Sequence, residues 1–220
     1  MIDAILWDND GILVDTEHVY FQATQHVLRS VGVPLSEADY LDLFLVQGKG
    51  AWHLAEAHGV PAGDLDRLRD ERNALYGRWL ADAPRLIPGV DRVLESLHVR
   101  YTMGVVTSSR RDHFDVIHRN TNLLQYFDFA ITSDDCTRVK PDPEPYRRAI
   151  ERTGFDVSRC VAVEDSQRGL QAAIAAGLDC LVIPTALTRS CAFVGALRVL
   201  ESIDEVPEAV AALATSKRSG

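Results

Sequence analysis

Five short apolar runs, most of them followed by residues able to do chemistry, constrain this chain more than any other feature. They are Ala4-Ile5-Leu6-Trp7, Thr102-Met103-Gly104-Val105-Val106, Phe127-Asp128-Phe129-Ala130-Ile131, Cys160-Val161-Ala162-Val163 and Cys180-Leu181-Val182-Ile183. Runs this short and this little interrupted read as strands buried on both faces. Helical patterns lie between them: Arg92 to Leu97, Asp112 to Asn120, Pro143 to Thr153 and Gln167 to Ala176. Strand alternating with helix predicts an α/β fold, a Rossmann-like doubly wound parallel sheet with helices on both faces.

One region breaks the rhythm. From Thr16 to Ala83 no strand pattern appears, and Val19 to Val31, Glu37 to Val46, Ala51 to His58 and Leu65 to Leu80 read as amphipathic helices. The expected organisation is an α/β core of residues 1–15 and 86–220, with an all-helical cap of residues 16–85 inserted after the first strand. Ligands of open parallel sheets bind at the carboxyl ends of the strands. An insert leaving the end of the first strand hangs over that site, where a lid belongs. Its hinges are expected near Asp15-Thr16 and Pro84 to Pro88.

Composition narrows the function. Apolar residues make up 46% of the 220, enough for a real core, and the formal net charge is -9. No basic patch stands out, so nucleic acid is not an expected partner. No apolar run reaches membrane-span length, so no membrane is expected either. The cysteines Cys136, Cys160, Cys180 and Cys191 form no Cys-x-x-Cys, and His53 and His58 have the wrong spacing for one metal-binding helix face. Free thiols and no export signal point to the cytoplasm. A capped core of this size is expected to work as a monomer. Ser216 to Gly220 reads as a frayed tail.

The residues just beyond the strands carry the chemistry. Asp8-Asn9-Asp10-Gly11 follow the first, Thr107-Ser108-Ser109 the second, Lys140-Pro141 come after the third, and Glu164-Asp165-Ser166 follow the fourth. Charges gathered at one sheet end are costly unless they serve a ligand or metal. Asp8, Asp10, Glu164 and Asp165 would repel one another, and a hard dication removes the problem. Oxygen-only ligands suit Mg²⁺. Lys140 supplies a compact positive charge for a transferring phosphoryl group, with Thr107 and Ser108 as further phosphate ligands. Asp8 can attack phosphorus while Asp10 protonates the leaving oxygen and later activates water. Gly11 lets the chain turn away sharply. In the cap, Lys49 and Arg72 are the candidate substrate contacts. Trp52 reads as cap core, and Thr107 also reads as a cap for the helix that comes after it.

These four segments, in this order, closely resemble the haloacid dehalogenase superfamily, in the subgroup with a helical cap after the first motif. The matching strings are Asp8-Asn9-Asp10-Gly11-Ile12-Leu13-Val14-Asp15-Thr16-Glu17, Val105-Val106-Thr107-Ser108-Ser109, Val139-Lys140-Pro141-Asp142-Pro143 and Val163-Glu164-Asp165-Ser166. The resemblance implies Asp8 as nucleophile, Asp10 as acid/base, and Thr107 and Lys140 as phosphate ligands. It implies Mg²⁺ held by the Asp8 carboxylate, the Asp10 backbone carbonyl and Asp165, with Glu164 beside them. A carboxylate at Asp10 favours phosphate chemistry over carbon–halogen cleavage. Glu164-Asp165-Ser166-Gln167-Arg168-Gly169 looks like the β-phosphoglucomutase and sugar-phosphatase branch, and Thr107-Ser108-Ser109 differs from the form common in phosphoglycolate phosphatases. Ala51 stands where the mutase branch carries an arginine for a second phosphate. The expected reaction is therefore hydrolysis of a small phosphorylated metabolite. A phosphomutase and a phosphoglycolate phosphatase are the alternatives.

Overall fold

A computed structural model describes residues 1–81 and 85–216, with side chains to 213. The expected hinge position at Pro84 and the tail from Lys217 to Gly220 lie outside the described residues.

Six strands form one parallel sheet. They are β1 (Ala4–Trp7), β4 (Thr102–Val106), β5 (Phe129–Ile131), β6 (Cys160–Glu164), β7 (Asp179–Val182) and β8 (Arg198–Val199), in the order β5-β4-β1-β6-β7-β8. β1 pairs in parallel with β4 on one side and β6 on the other. The chain builds outward through β4 and β5, then crosses to β6. This reversal opens a crevice beyond the carboxyl end of β1, where open α/β sheets bind ligands.

Both faces of the sheet are covered, which is why its strands lack polar alternation. Ile5, Trp7, Met103, Val105, Val161 and Val163 point into one apolar layer, with α5 (Val90–His98), α6 (Arg111–His118) and α9 (Val206–Ser216). Ala4, Leu6, Val106, Cys160 and Ala162 point into the other, with α7 (Glu144–Thr153) and α8 (Gln167–Ala175). The period-two alternation of a strand thus divides each run between two cores.

Between β2 (Val14–Asp15) and β3 (Arg85–Leu86) lie α1 (Glu17–Ser30), α2 (Glu37–Tyr40), α3 (Trp52–Ala57) and α4 (Leu65–Ala81). β2 and β3 pair antiparallel, Val14 with Leu86 and Asp15 with Arg85, so the two chain crossings run side by side. The helices close around their own apolar cluster, which includes Leu28, Tyr40, Phe44, Leu45 and Ala55, with Trp52 packed against it. The expected single helix from Glu37 to Val46 is instead α2 followed by a π-helix over Leu41–Val46. Its wider turn is closed by the Gln47 N–H on the Asp42 carbonyl at 2.9 Å, and it buries the consecutive Phe44 and Leu45. β8 and α9 go beyond the sequence-based expectation. Among the described residues no helix is long and apolar enough to cross a membrane.

Candidate active site

The turn after β1 sets the geometry. Asn9 offers its carbonyl to the N–H groups of Ile12, Leu13 and Val14, and Gly11 N–H reaches Val14 O at 2.8 Å. Gly11 sits at φ +87°, and a Cβ there would lie 2.3 Å from Asp165 Oδ2. Only glycine supplies both the left-handed backbone and the space. The turn therefore presses the β1 loop against the end of β6, bringing Asp8 to Glu164 and Asp165.

Lys140 is the hub of that cluster. Its Nζ donates to Asp8 Oδ1 at 2.7 Å, Glu164 Oε1 at 2.7 Å and the Val106 carbonyl at 2.6 Å. All three donor positions of the ammonium are used. The Tyr146 hydroxyl donates to the same Glu164 oxygen at 2.6 Å. Burial pushes Asp8 up to about 7, Glu164 adds repulsion, and Lys140 opposes both. Burial also raises Asp165, with repulsion from Asp8 and Glu164. Burial works against the charged Lys140, but the Asp8 and Glu164 carboxylates outweigh it and hold the ammonium above its usual range.

One carboxylate oxygen each from Asp8, Glu164 and Asp165 lie within 4.8 Å of one another. Glu164 Oε2 and Asp165 Oδ2 are buried and have no hydrogen-bond partner among the described residues. Buried carboxylate oxygens without donors are rare. Hard oxygen donors with unfilled capacity fit a Mg²⁺-type cation.

Asp10 faces the other way around the same turn. Its Oδ1 accepts from the Thr16 hydroxyl, and its Oδ2 from Ser109 at 2.8 Å and Thr107 at 3.2 Å. Thr107 Oγ1 in turn accepts the Ser109 N–H at 2.9 Å, which closes a local turn; the expected helix cap is not formed, because α6 starts at Arg111 after Arg110 and has no side-chain cap. Ser109 thus reaches Asp10. Ser108 Oγ is buried and has no partner among the described residues.

Asp8, Asp10, Ser108 and Ser109 line a cavity of about 170 Å³ whose far wall is the helical insert. Arg72 of α4 belongs to that wall. It is buried, its guanidinium lies 4.3 Å from the centre of the Tyr20 ring, and it donates to Asn73 Oδ1 at 2.9 Å. Among the described residues no carboxylate lies within ion-pair distance of it. Lys49 is exposed and is not among the cavity's lining residues. Its N–H closes the turn onto Leu43 O at 2.8 Å between two glycines of positive φ, and that turn leaves the side chain in solvent.

Glu17, Tyr40 and Arg168 also line the cavity, and sequence reasoning assigned none of them a role. Glu17 is buried and accepts from the Tyr40 hydroxyl. Burial raises its carboxyl, against the pull of Arg168. Its place at the end of the string Asp8 to Glu17 was the available signal.

A family model described as haloacid dehalogenase-like hydrolase matches residues 5–183. This chain belongs to that family. Among its relatives, protein CbbY of Cereibacter sphaeroides is 31% identical over 220 residues, 94% of each chain. The fructose-1-phosphate phosphatase YqaB of Escherichia coli is 31% identical over 178 residues, covering 80% of this chain and 93% of that protein. The crystal structure of CbbY from Rhodobacter sphaeroides in complex with phosphate superposes with a TM-score of 0.80 at 28% identity, covering 94% of this chain and 96% of that one. Family membership makes the chain a hydrolase-type enzyme and agrees with the α/β sheet described above.

Proposed function

We propose that this enzyme is a Mg²⁺-dependent phosphatase that hydrolyses a small phosphorylated sugar or similar metabolite through an aspartyl-phosphate on Asp8. The observation that carries the reading is the pairing of Asp8 with Lys140 beside two buried, unpartnered carboxylate oxygens, at the floor of a cavity lined by Asp10. The names of the relatives support the substrate class.

Asp8 attacks the phosphorus, and the bond to the leaving oxygen breaks. Asp10 gives that oxygen its proton, then takes one from the water that attacks the phosphoenzyme and frees phosphate. The Lys140 ammonium offsets the phosphoryl charge from its place beside Asp8, and the hydroxyls of Thr107 and Ser108 orient the phosphoryl oxygens. Asp8, Asp165, Glu164 and the Asp10 carbonyl would hold Mg²⁺, which supplies positive charge for an anionic nucleophile meeting an anionic substrate.

The cap, residues 16–85, is proposed as a lid over the core of residues 1–15 and 86–220, swinging about the paired crossings at Asp15 and Arg85. Arg72 is its substrate-facing cation. Among the described residues its buried guanidinium has no carboxylate partner, so a polar or anionic group of the substrate would complete it. Lys49, exposed and outside the cavity lining, has no part in this reading. Ala51 is fully buried in the cap cluster, which weakens the mutase alternative. A monomer in the cytoplasm belongs to the same proposal.

Phosphate release across sugar phosphates, phosphoglycolate and nucleotides, with Mg²⁺ or EDTA, tests the reaction class. Metal-dependent release supports it, and no release from any compound refutes it. NMR of the products separates free phosphate from an isomerised sugar phosphate.

A further inference from the structure

Behind the catalytic turn, on the side away from the cavity, a buried polar pair has no role in the chemistry above. Asn9 is fully buried between the two catalytic aspartates. Its Oδ1 lies 2.7 Å from Nε2 of His118, on α6. His118 Nδ1 lies 3.0 Å from Thr121 Oγ1, and the Phe114 ring packs on the imidazole at 4.5 Å. Neither Asn9 nor His118 lines the cavity.

We propose that His118 is a positioning residue for the reaction: through the Asn9 side chain it fixes the turn that carries Asp8 and Asp10. The inference rests on the phosphatase reading for its rate effect alone. Asn9 is the pivot of that turn, since its carbonyl gathers the N–H groups of Ile12, Leu13 and Val14 at 3.3, 2.8 and 3.2 Å. On its other side the Asp8 N–H is tied to Val163 O at 2.9 Å. Anchoring the Asn9 side chain therefore sets the rotation of both neighbouring residues together.

Stability alone does not account for the pair. Asn9 Nδ2 is buried without a partner among the described residues, a cost that an apolar pair of the same shape would avoid. The hydrogen bonding also fixes the state of the ring. An amide oxygen only accepts, so Nε2 carries the proton and Nδ1 is left to accept from the Thr121 hydroxyl. Burial favours that neutral form, lowering the imidazole to about 4. The result is a stiff, uncharged strut between α6 and the loop. Groups that orient ligand-bearing residues in this way usually change metal affinity by about 10–100-fold when removed.

The test compares His118→Phe, which keeps the volume and loses the donor, with His118→Gln, which can restore an N–H toward Asn9. Each is assayed for hydrolysis of p-nitrophenyl phosphate and for Mg²⁺ affinity by calorimetry. The expected result for His118→Phe is a kcat lower by about tenfold or more at little changed KM, with Mg²⁺ binding weakened by about tenfold. His118→Gln should recover most of both. The double variant Asn9→Leu/His118→Phe, free of the orphaned amide, should be as stable as wild type yet just as slow. It decides the matter where His118→Phe alone does not fold. A folded His118→Phe, or double variant, with wild-type kcat and Mg²⁺ affinity overturns the proposal. If wild type turns over no phosphate ester but loses Mg²⁺ affinity in His118→Phe, the phosphatase reading fails while the positioning role stands.

Discussion

Lys140 Nζ donates to Asp8 Oδ1 at 2.7 Å, and both side chains are almost entirely shielded from water. The same ammonium holds Glu164 Oε1 at the same distance. One cation thus offsets two carboxylates at the meeting point of β1 and β6. Removing one partner from such a buried group leaves uncompensated charge, which costs more than the pair ever contributed.

Lys140→Met should therefore destabilise the metal-free protein by about 3 kcal/mol or more and reduce phosphatase kcat by at least about 10²-fold. Urea denaturation and steady-state kinetics measure the two effects. A variant with wild-type stability would show that the Asp8 and Glu164 carboxylates do not need the ammonium.

Metal should stabilise the fold. Asp8, Glu164 and Asp165 crowd together with two buried oxygens lacking partners, so a ligand that fills them binds the folded state alone. Millimolar Mg²⁺ should raise the melting temperature, EDTA should reverse the gain, and Asp165→Asn should abolish it. An equal shift in Asp165→Asn would place the cation elsewhere.

Gly48 probes the lid. At φ +66° it lies so close to the core that a Cβ would come 2.7 Å from Pro141 Cδ. Gly48→Ala should hinder closure of the insert onto the Lys140–Pro141 segment. We expect KM to rise several-fold and kcat to fall, with the α/β core intact by near-ultraviolet circular dichroism. Unchanged kinetics would mean that this contact does not belong to the working state.

His118 predicts a pH dependence of stability. Burial lowers its imidazole from 6.5 to about 4, against the opposing pull of Asp10 on the β1 turn and Asp115 on its own helix. The unfolded chain binds the proton more readily. The contribution is thus fully present above pH 6.5 and is lost as pH falls toward 4, amounting to about 3 kcal/mol. In His118→Phe the slope of unfolding free energy across this window should flatten. An identical slope would assign the acid sensitivity to other groups.

The core was legible because burial on both faces leaves an unmistakable pattern. Ala4 to Trp7 has no polar alternation, and the residue after it is an aspartate, so both the strand and the site at its end could be read from one string. Asp8, Asp10, Thr107, Lys140, Glu164 and Asp165 meet at that sheet end for the same reason. The cap wall was not legible. Glu17 looks like any first-turn acid, and its neighbour Arg168 lies on a helix about 150 residues later, brought close only by the packing of α8 under the insert. Lys49 and Arg72 are both cap cations, and periodicity does not tell which one a glycine-flanked turn will leave in solvent. β8 is two residues long and α9 is rich in alanine, so neither carries a strong periodic signal.

The covalent state of Asp8 decides whether the phosphoryl group passes through the protein. Wild type and Asp8→Asn would be mixed with ³²P-labelled sugar phosphate and Mg²⁺, quenched in acid within milliseconds, and assayed for label on the protein. Wild type should carry label on Asp8 that unlabelled substrate chases away, and a folded Asp8→Asn should show neither label nor turnover. Turnover by Asp8→Asn, or label on another residue, would contradict the aspartyl-phosphate mechanism.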